Sequence, residues 1–249
     1  MNIPRSHPRY ASLRTRAMLV DAVKKGITSM DGLLAHGRGE AFDYLLGEKT
    51  HKFAEKAIRA SAALLVLAKH PTISVNGNSA ALVTKELVAL ASLLNAALEV
   101  NIFHSSRTRE ENIKKHLEKY GATQVLLPQK NHIIKYLDSN RKFVNKDGIY
   151  IADVVFVPLE DGDRAEALIK NGKKVITIDL NPLSRTGQKS SITIVDNITR
   201  ALPLLIIEVR RMNREKPGDL VKYLEEYNNS VMLQEALHYI VKLWMKLRK

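Results

Sequence analysis

The fold class of this protein is decided by the stretch Thr72-Ile73-Ser74-Val75-Asn76-Gly77-Asn78, a short apolar run that ends in a polar turn. Five further runs of four to six mostly apolar residues follow it along the chain, at residues 98–103, 124–127, 153–157, 175–178 and 192–195. Runs of this length that are bounded by turn residues are typical of buried β-strands. The sequence therefore predicts six strands that are buried on both faces.

Longer helical patterns flank these runs, at residues 54–69, 79–97, 108–120 and 160–171. Apolar strands that alternate with helices predict a mostly parallel sheet with helices on both faces, which is a Rossmann-like α/β architecture. We therefore predict a single α/β domain over residues 1–249.

The two ends of the chain differ from this alternating pattern. Residues 1–50 are predicted as an N-terminal helical region with a glycine-containing loop at 35–40. Residues 198–249 are predicted as a helical segment that is broken at 216–218. Within it, residues 231–247 carry apolar side chains on more than one face, among them Trp244. That pattern favours a subunit interface, hence a homodimer, with packing on the chain's own domain as the alternative.

The net charge of the chain is unusually high. It contains 39 Lys and Arg and 26 Asp and Glu, which gives a net charge of +13. A basic protein of this kind suggests a nucleic-acid or anionic-membrane partner. The excess is spread along the chain, however, without the blocks of five or more like charges that nucleic-acid tails carry. Aromatic residues are only 6%, so platforms for base stacking are scarce. We therefore predict no nucleic-acid partner and keep nucleic-acid binding as the alternative.

The cysteine count and the lengths of the apolar runs exclude several classes of protein and of functional site. The absence of cysteine excludes thiol nucleophiles, thiolate metal sites and disulfides. No apolar run reaches the roughly 18 residues of a membrane-spanning helix, and residues 1–8 lack the apolar stretch of a signal peptide. The sequence therefore predicts a cytoplasmic protein without a membrane partner.

Polar side chains follow the predicted strands, at the sheet edge where open parallel sheets bind ligands. They are Asn76, Asn78, Asn101, Glu160, Asp161, Asp163, Arg164, Asp179, Asn181, Arg185, Thr186 and Asn197. Amides and carboxylates suit hydroxyl groups and ribose, and arginines suit phosphates, which they can bind in bidentate fashion. This edge is predicted to bind a small, phosphate-bearing ligand.

Some of these residues have local structural interpretations that remain open. Asp163 and Glu166 have the spacing of a helix capping box. Glu160, Asp161 and Asp163 have the oxygen ligands that Mg²⁺ prefers. The stretch Asn76-Gly77-Asn78 also suits a simple turn.

Standard phosphate and metal motifs are absent from the sequence. There is no GxxxxGK[ST] loop, and Gly37-Arg38-Gly39-Glu40-Ala41-Phe42 lacks the third glycine of a dinucleotide fingerprint. The eight histidines show no HExxH spacing.

Several longer strings of the sequence are unusual. They lie at residues 3–10, 32–45, 74–78, 99–103, 157–168 and 178–186, and the last reads Ile178-Asp179-Leu180-Asn181-Pro182-Leu183-Ser184-Arg185-Thr186. Together and in this order they resemble the archaeal phosphopantothenate synthetases, which are also called 4-phosphopantoate–β-alanine ligases. The resemblance implies a homodimer of Rossmann-like fold that acts in coenzyme A biosynthesis. It implies that 4-phosphopantoate, β-alanine and ATP, with Mg²⁺, give 4-phosphopantothenate, AMP and pyrophosphate through an acyl adenylate.

The resemblance also implies site residues. Those expected at the nucleotide are Arg16, Arg38, Asp179, Leu180, Asn181, Arg185, Thr186, Asn197 and Ile198. Those expected at 4-phosphopantoate are Glu40, Asn76, Asn78 and Asn101. Our chemical interpretation assigns the arginines to phosphates, with Arg38 and Arg164 as the residues that stabilise charge in the transition state. A non-catalytic, nucleotide-binding regulator is a further alternative to the ligase.

Overall fold

The computed structural model describes residues 3–159 and 162–246, apart from the side chains of Trp244 and Lys246. The strands are β1 (Pro71–Val75), β2 (Ala97–Val100), β3 (Val125–Leu126), β4 (Gln129–Ile133), β5 (Phe143–Val144), β6 (Val154–Phe156), β7 (Lys174–Ile178) and β8 (Ile192–Ile194). Six of them form one sheet in the order β3-β2-β1-β6-β7-β8, in which every neighbouring pair is parallel. The six predicted strands and their parallel arrangement are confirmed.

The helices are α1 (Tyr10–Lys24), α2 (Met30–Leu45), α3 (Lys52–Leu67), α4 (Gly77–Leu82), α5 (Thr84–Leu94), α6 (Arg107–Lys119), α7 (Gly162–Lys170), α8 (Arg185–Lys189), α9 (Ile198–Met212), α10 (Pro217–Glu225) and α11 (Asn229–Lys246). A 3-10 helix at Asn140–Lys142 and a π-helix at Lys146–Tyr150 lie in the segment between β3 and β6.

Hydrophobic cores lie on both faces of the sheet, as the apolar strands predict. Val154 and Phe156 belong to the larger core, which includes side chains of α3, α5 and α9. Val155 and Val157, which alternate with them, belong to a smaller core under α7. The strict alternation of a β-strand thus sends successive apolar side chains into opposite layers.

Two parts of the predicted helical pattern are wrong. The loop predicted at 35–40 lies inside α2, whose buried carboxylates Glu40 and Asp43 form the ion pairs with Arg16 and Arg200 that are described below. The single helix predicted at 79–97 is divided at Val83 into α4 and α5. Thr84 donates its hydroxyl to the Ala80 carbonyl, which competes with the backbone ladder, and two β-branched residues in a row further weaken the helix there.

A small antiparallel ladder of β4 and β5 was not predicted. The residues of β4 are mostly polar and exposed, so this strand has no apolar run that sequence reasoning could detect.

The predicted break in the C-terminal helical segment at 216–218 falls slightly earlier, between Met212 and Pro217. Pro217 opens α10, where its missing N–H would have no helical partner in any case.

The C-terminal helix α11 packs on its own domain through its first half, where Met232, Leu233 and Ala236 are buried against α3, α8 and β8. Val241 and Met245 in its second half are exposed. No helix in the described ranges is long and apolar enough to cross a membrane.

Candidate active site

The order of the strands reverses between β1 and β6, and this switch point is where open α/β sheets bind ligands. Three adjoining cavities lie at the carboxyl ends of the strands, around the chain that follows β6. We call them the central cavity, the arginine cavity and the outer cavity.

The central cavity has a volume of about 590 Å³, which is within the usual range for sites of small organic ligands. Its walls come from α2, from the loop after β7 and from the start of α9. Eight of the nine residues expected at the nucleotide line it: Arg38, Asp179, Leu180, Asn181, Arg185, Thr186, Asn197 and Ile198. The structure therefore brings together residues that lie far apart in sequence.

The loop after β7 is held by its own side chains. The Asp179 carboxylate accepts hydrogen bonds from the Asn181 N–H at 2.9 Å and from the Ser184 hydroxyl at 2.5 Å. The Asn181 side-chain oxygen Oδ1 accepts from the Leu183 N–H at 2.9 Å, which closes a turn at residues 181–183. Burial raises the pKa of Asp179, although these hydrogen bonds oppose the shift. The loop thus presents a fixed wall to the cavity.

A buried ion-pair cluster joins the two sides of the central cavity. Arg200 binds Asp43 of α2 with Nη2–Oδ1 at 2.5 Å and Nη1–Oδ2 at 3.1 Å. The same guanidinium donates to Asp196 Oδ1 from Nη2 at 2.6 Å and from Nε at 2.9 Å. Asn197 donates its Nδ2 to Asp43 at 2.9 Å and caps α9 by accepting from the Thr199 N–H. This cluster, which sequence reasoning missed, fixes α2 against α9.

The arginine cavity, of about 270 Å³, adjoins the central one. Among the described residues, its lining includes Arg38, Arg109 and Arg141 and one carboxylate, that of Asp31. Arg38 lines both cavities and has no hydrogen-bonded partner within residues 3–159 and 162–246. Arg109 donates to the His104 carbonyl at 2.9 Å, and its Nε is buried with no acceptor in the described part of the chain. The cavity is therefore suited to a multiply charged anion.

Arg109 is a functional candidate that the sequence did not reveal. It lies in the first turn of α6, in a stretch of alternating charges that is typical of a solvated helix face. Burial lowers the pKa of its guanidinium, with Asp31 acting in the opposite direction.

The asparagines expected at the substrate are largely engaged in holding the backbone. Asn76 caps α4 and donates its Nδ2 to the carbonyls of Pro158 and Leu159, at 3.0 and 2.9 Å. Asn78 donates to the Gly32 carbonyl at 2.8 Å and accepts from the Thr28 hydroxyl at 2.6 Å. Both residues line the arginine cavity.

Asn101 is placed differently, because its side chain is buried and lines none of the three cavities. Its Nδ2 donates to the carbonyls of Arg141 and Phe143, each at 3.1 Å. Its Oδ1 accepts from the Arg141 Nε, also at 3.1 Å. Asn101 therefore positions Arg141, one of the arginines of the arginine cavity.

Arg16 is the one expected nucleotide residue that lies outside the central cavity. It lines a separate cleft between α1 and α2, where its Nε and Nη2 donate to Glu40 at 3.0 and 2.5 Å. Ser12 also donates to Glu40. Burial favours a raised pKa of Glu40, but these hydrogen bonds outweigh it and lower the pKa, so the carboxylate stays ionised. Glu40 itself lines both the cleft and the central cavity.

The outer cavity, of about 560 Å³, lies along α7. Arg164, whose side chain is buried, forms part of its lining. The capping-box interpretation of Asp163 and Glu166 is wrong, because Asp163 lies inside α7 and both carboxylates bind Arg185 of α8. The Glu166–Arg185 contact is 2.7 Å. Arg185 and Gly162 line the central cavity as well, so they form the wall between the two.

The magnesium prediction depends on residues of which only one is described. Glu160 and Asp161 lie outside the described residues, and the carboxylate of Asp163 is paired with Arg185. Within the described ranges, no three His, Asp or Glu side chains form a group that would hold a metal ion. The site residues of a metal therefore stay unassigned.

Comparison with known proteins gives a consistent result over nearly the whole chain. Residues 53–243 match the family model of phosphopantothenate/pantothenate synthetase. The 4-phosphopantoate–β-alanine ligase of Thermococcus onnurineus is 51% identical over 243 residues, covering 96% of this chain and 92% of that protein. The ligase of the same name from Methanosarcina mazei is 49% identical over 239 residues, covering 96% and 94%. That from Methanospirillum hungatei is 47% identical over 240 residues, covering 96% of each.

Proposed function

The chain belongs to the phosphopantothenate/pantothenate synthetase family, and on that premise we propose that it is a ligase that joins 4-phosphopantoate to β-alanine with ATP as the activating reactant. Relatives at 47–51% identity carry the name of that ligase, which acts on the acid and the amine. The observation that supports the role of ATP is the position of Arg38, at the junction of the central and arginine cavities.

We assign ATP to the central cavity. Leu180 and Ile198 provide apolar surface for the base, and the loop of Asp179 and Asn181 provides polar groups for the ribose. Arg38 of α2 and Arg185 of α8 both line this cavity, and we assign them to the phosphates. Arg185 must then exchange contacts with Asp163 or Glu166 for contacts with phosphate, which is feasible because it is more than half exposed.

We assign 4-phosphopantoate to the arginine cavity. Its phosphate carries up to two negative charges, and in the described part of the lining Arg38, Arg109 and Arg141 outnumber the carboxylate of Asp31. Asn76 and Asn78 hold the walls of this cavity in place, and Asn101 holds Arg141. Of the four residues expected at the substrate, two therefore line its cavity and one supports it.

The reaction then has two steps. The carboxylate of 4-phosphopantoate attacks the α-phosphorus of ATP, the bond to the β-phosphate oxygen breaks, and pyrophosphate leaves. The amine of β-alanine then attacks the carbonyl carbon of the acyl adenylate, the carbon–oxygen bond to AMP breaks, and the proton of the amine passes to solvent. The product, 4-phosphopantothenate, belongs to coenzyme A biosynthesis.

Arg38 has a definite electrostatic task in the first step. Two unit negative charges at 4 Å repel each other by about 4 kcal/mol at an effective dielectric constant of 20. A guanidinium between the carboxylate and the α-phosphate offsets that repulsion without reorganisation during the reaction. Mg²⁺, which usually binds through nucleotide phosphates and one or two carboxylates, would neutralise further charge there.

We also infer a homodimer. Exposed apolar side chains of α9 and α11 support it, namely Leu204, Ile207, Val241, Leu243 and Met245. Sedimentation equilibrium of the wild type gives the test, and a monomer at micromolar concentration would contradict the inference. A cytoplasmic location stays a prediction from the sequence.

The proposed function is tested with Mg-ATP, 4-phosphopantoate and β-alanine, and formation of AMP and pyrophosphate is measured. We expect both products only when 4-phosphopantoate is present. Arg38→Ala should lower the rate at least about 100-fold, the usual effect of removing one group that stabilises transition-state charge. Arg59→Ala, an exposed arginine of α3 outside the cavities, is the matched control.

The other outcomes distinguish the alternatives. Binding of ATP without turnover would favour the non-catalytic regulator. Binding of duplex or single-stranded DNA that weakens steeply with salt, without product formation, would favour the nucleic-acid alternative.

A further inference from the structure

We propose that the outer cavity binds β-alanine, with Lys170 as the partner of its carboxylate; this rests on the proposed function. The cavity is lined by Tyr136, Asp138, Glu166 and Lys170 among others. Glu166 binds Arg185, whereas Tyr136, Asp138 and Lys170 have no task in the activation of the acid by ATP.

The first support is the position of the outer cavity relative to the other two. It shares Gly162 and Arg185 with the central cavity, and Phe103 and Arg141 with the arginine cavity. The acyl adenylate would form where the central and arginine cavities meet, near Arg38. The attacking amine must reach that junction from a space that neither ATP nor 4-phosphopantoate occupies. The outer cavity borders both the central cavity and the arginine cavity, so it can provide that space.

The second support is the balance of charge. Within residues 3–159 and 162–246, the lining of the outer cavity includes three carboxylates, of Asp138, Asp163 and Glu166, and four cationic side chains, of Arg141, Arg164, Lys170 and Arg185. Over the same residues, the lining of the arginine cavity includes three arginines and one carboxylate. A zwitterion such as β-alanine is matched by groups of both signs, whereas a phosphorylated acid is matched by an excess of cations.

The third support is the spacing along α7. Lys170 lies in the last turn, and its Nζ is 3.0 Å from Glu166 Oε1, since helical side chains lean toward the N-terminus of the helix. Glu166 lies four residues from Gly162, about 6 Å along the helix axis, and Gly162 borders the central cavity. Standard bond lengths give extended β-alanine a span of about 4–5 Å from its nitrogen to its carboxylate. A carboxylate at Lys170 thus places the amine at the wall of the central cavity.

The side chain of Lys170 is available for this contact. Its side chain is 54% exposed, and its Nζ lies 6.0 Å from the centre of the Tyr136 ring. The single ion pair with Glu166 leaves donor capacity on the ammonium group, which has three N–H bonds.

The experiment separates the two steps of the reaction in the full-length protein. The first is measured as 4-phosphopantoate-dependent exchange of labelled pyrophosphate into ATP without β-alanine, and the second as AMP formation at varied β-alanine. In Lys170→Gln we expect the KM for β-alanine to rise about tenfold, the effect of one partly exposed charge-assisted contact, while the exchange rate changes less than about twofold. Lys170→Arg should keep the KM within about threefold of the wild type.

A substrate without the carboxylate charge gives a second readout that a purely structural role would not change. The wild type should prefer β-alanine to β-alaninamide, and Lys170→Gln should lose about tenfold of that preference in kcat/KM. Lys25→Gln is the matched control, because Lys25 forms the same acid-first i,i+4 pair on an exposed helix and lies outside the cavities.

An unchanged KM for β-alanine in Lys170→Gln would overturn the inference, as would an equal rise in Lys25→Gln. A parallel fall in exchange would place Lys170 in the first step instead and overturn it as well. Failure of the proposed function is distinguishable, because the wild type itself would then show neither exchange nor AMP formation.

Discussion

Glu99 gives this protein a pH-dependent stability that can be worked out from the structure. Its carboxylate lies in β2 with no solvent exposure and accepts hydrogen bonds from the N–H groups of Asn145 at 3.0 Å and Ile149 at 2.7 Å. Burial raises its pKa to about 7, although these two hydrogen bonds and the charges of Arg164 and Lys173 oppose the shift. Ionisation of Glu99 is therefore unfavourable in the folded state.

The sign follows from the direction of the shift. Because the pKa rises from 4.5 on folding, the stability linked to this group is complete below about pH 4.5 and is lost as the pH rises through about 7. The whole shift corresponds to about 3 kcal/mol, of which about 2 kcal/mol is lost between pH 5.5 and pH 8.

Urea unfolding of the wild type and of Glu99→Gln at pH 5.5 and pH 8 isolates this effect. The amide cannot ionise, so groups that titrate in both proteins cancel in the difference between them. Loss of one acceptor for a buried N–H lowers the stability of the variant by about 1–3 kcal/mol at both pH values. We expect the free energy of unfolding of the wild type minus that of the variant to fall by about 2 kcal/mol from pH 5.5 to pH 8. A difference that stays constant within about 0.5 kcal/mol would refute the reasoning.

Three further substitutions test the packing around the site. Gly148→Ala should lower the free energy of unfolding by about 1–3 kcal/mol in urea, because an added Cβ would lie 2.2 Å from Glu99 Oε2. Gly218→Ala is the control, because a Cβ added there would meet no atom within 4 Å. Asp43→Asn should lower the free energy of unfolding by about 3 kcal/mol, because it removes the charge of one partner of the largely buried Arg200. The same variant should raise the KM for ATP more than the KM for β-alanine. Arg211→Ala, which removes exposed ion pairs at the far end of α9, should change the stability by less than about 1 kcal/mol and leave both KM values unaltered; a loss comparable to that of Asp43→Asn would contradict this ranking.

The sheet could be predicted because strands that are buried on both faces must be apolar along their length. The central cavity was largely predictable for a related reason. Asp179, Asn181 and Asn197 follow directly after apolar runs, and the carboxyl ends of parallel strands meet at one edge. The family strings then added Arg38, although Arg38 was expected in a loop and lies in α2.

Contacts between distant segments were beyond sequence reasoning. Asp43 and Arg200 are 157 positions apart, and nothing in the local pattern of either residue indicates their ion pair. Arg109 has the sequence surroundings of a solvated helix residue, yet its Nε is buried and it lines a cavity. Asn101 has the sequence surroundings of a ligand-binding amide, yet its Nδ2 donates to backbone carbonyls.

The sequence by itself determined the layers of the fold, the edge at which polar groups collect, and the family to which the strings belong, because each depends on residues that are close together along the chain. Only the tertiary structure decided how that edge is divided into three cavities, which arginines face them, and which polar side chains are already engaged in holding the backbone. The physical reason is that burial and charge pairing depend on what packs against a side chain, and those neighbours come from other parts of the chain.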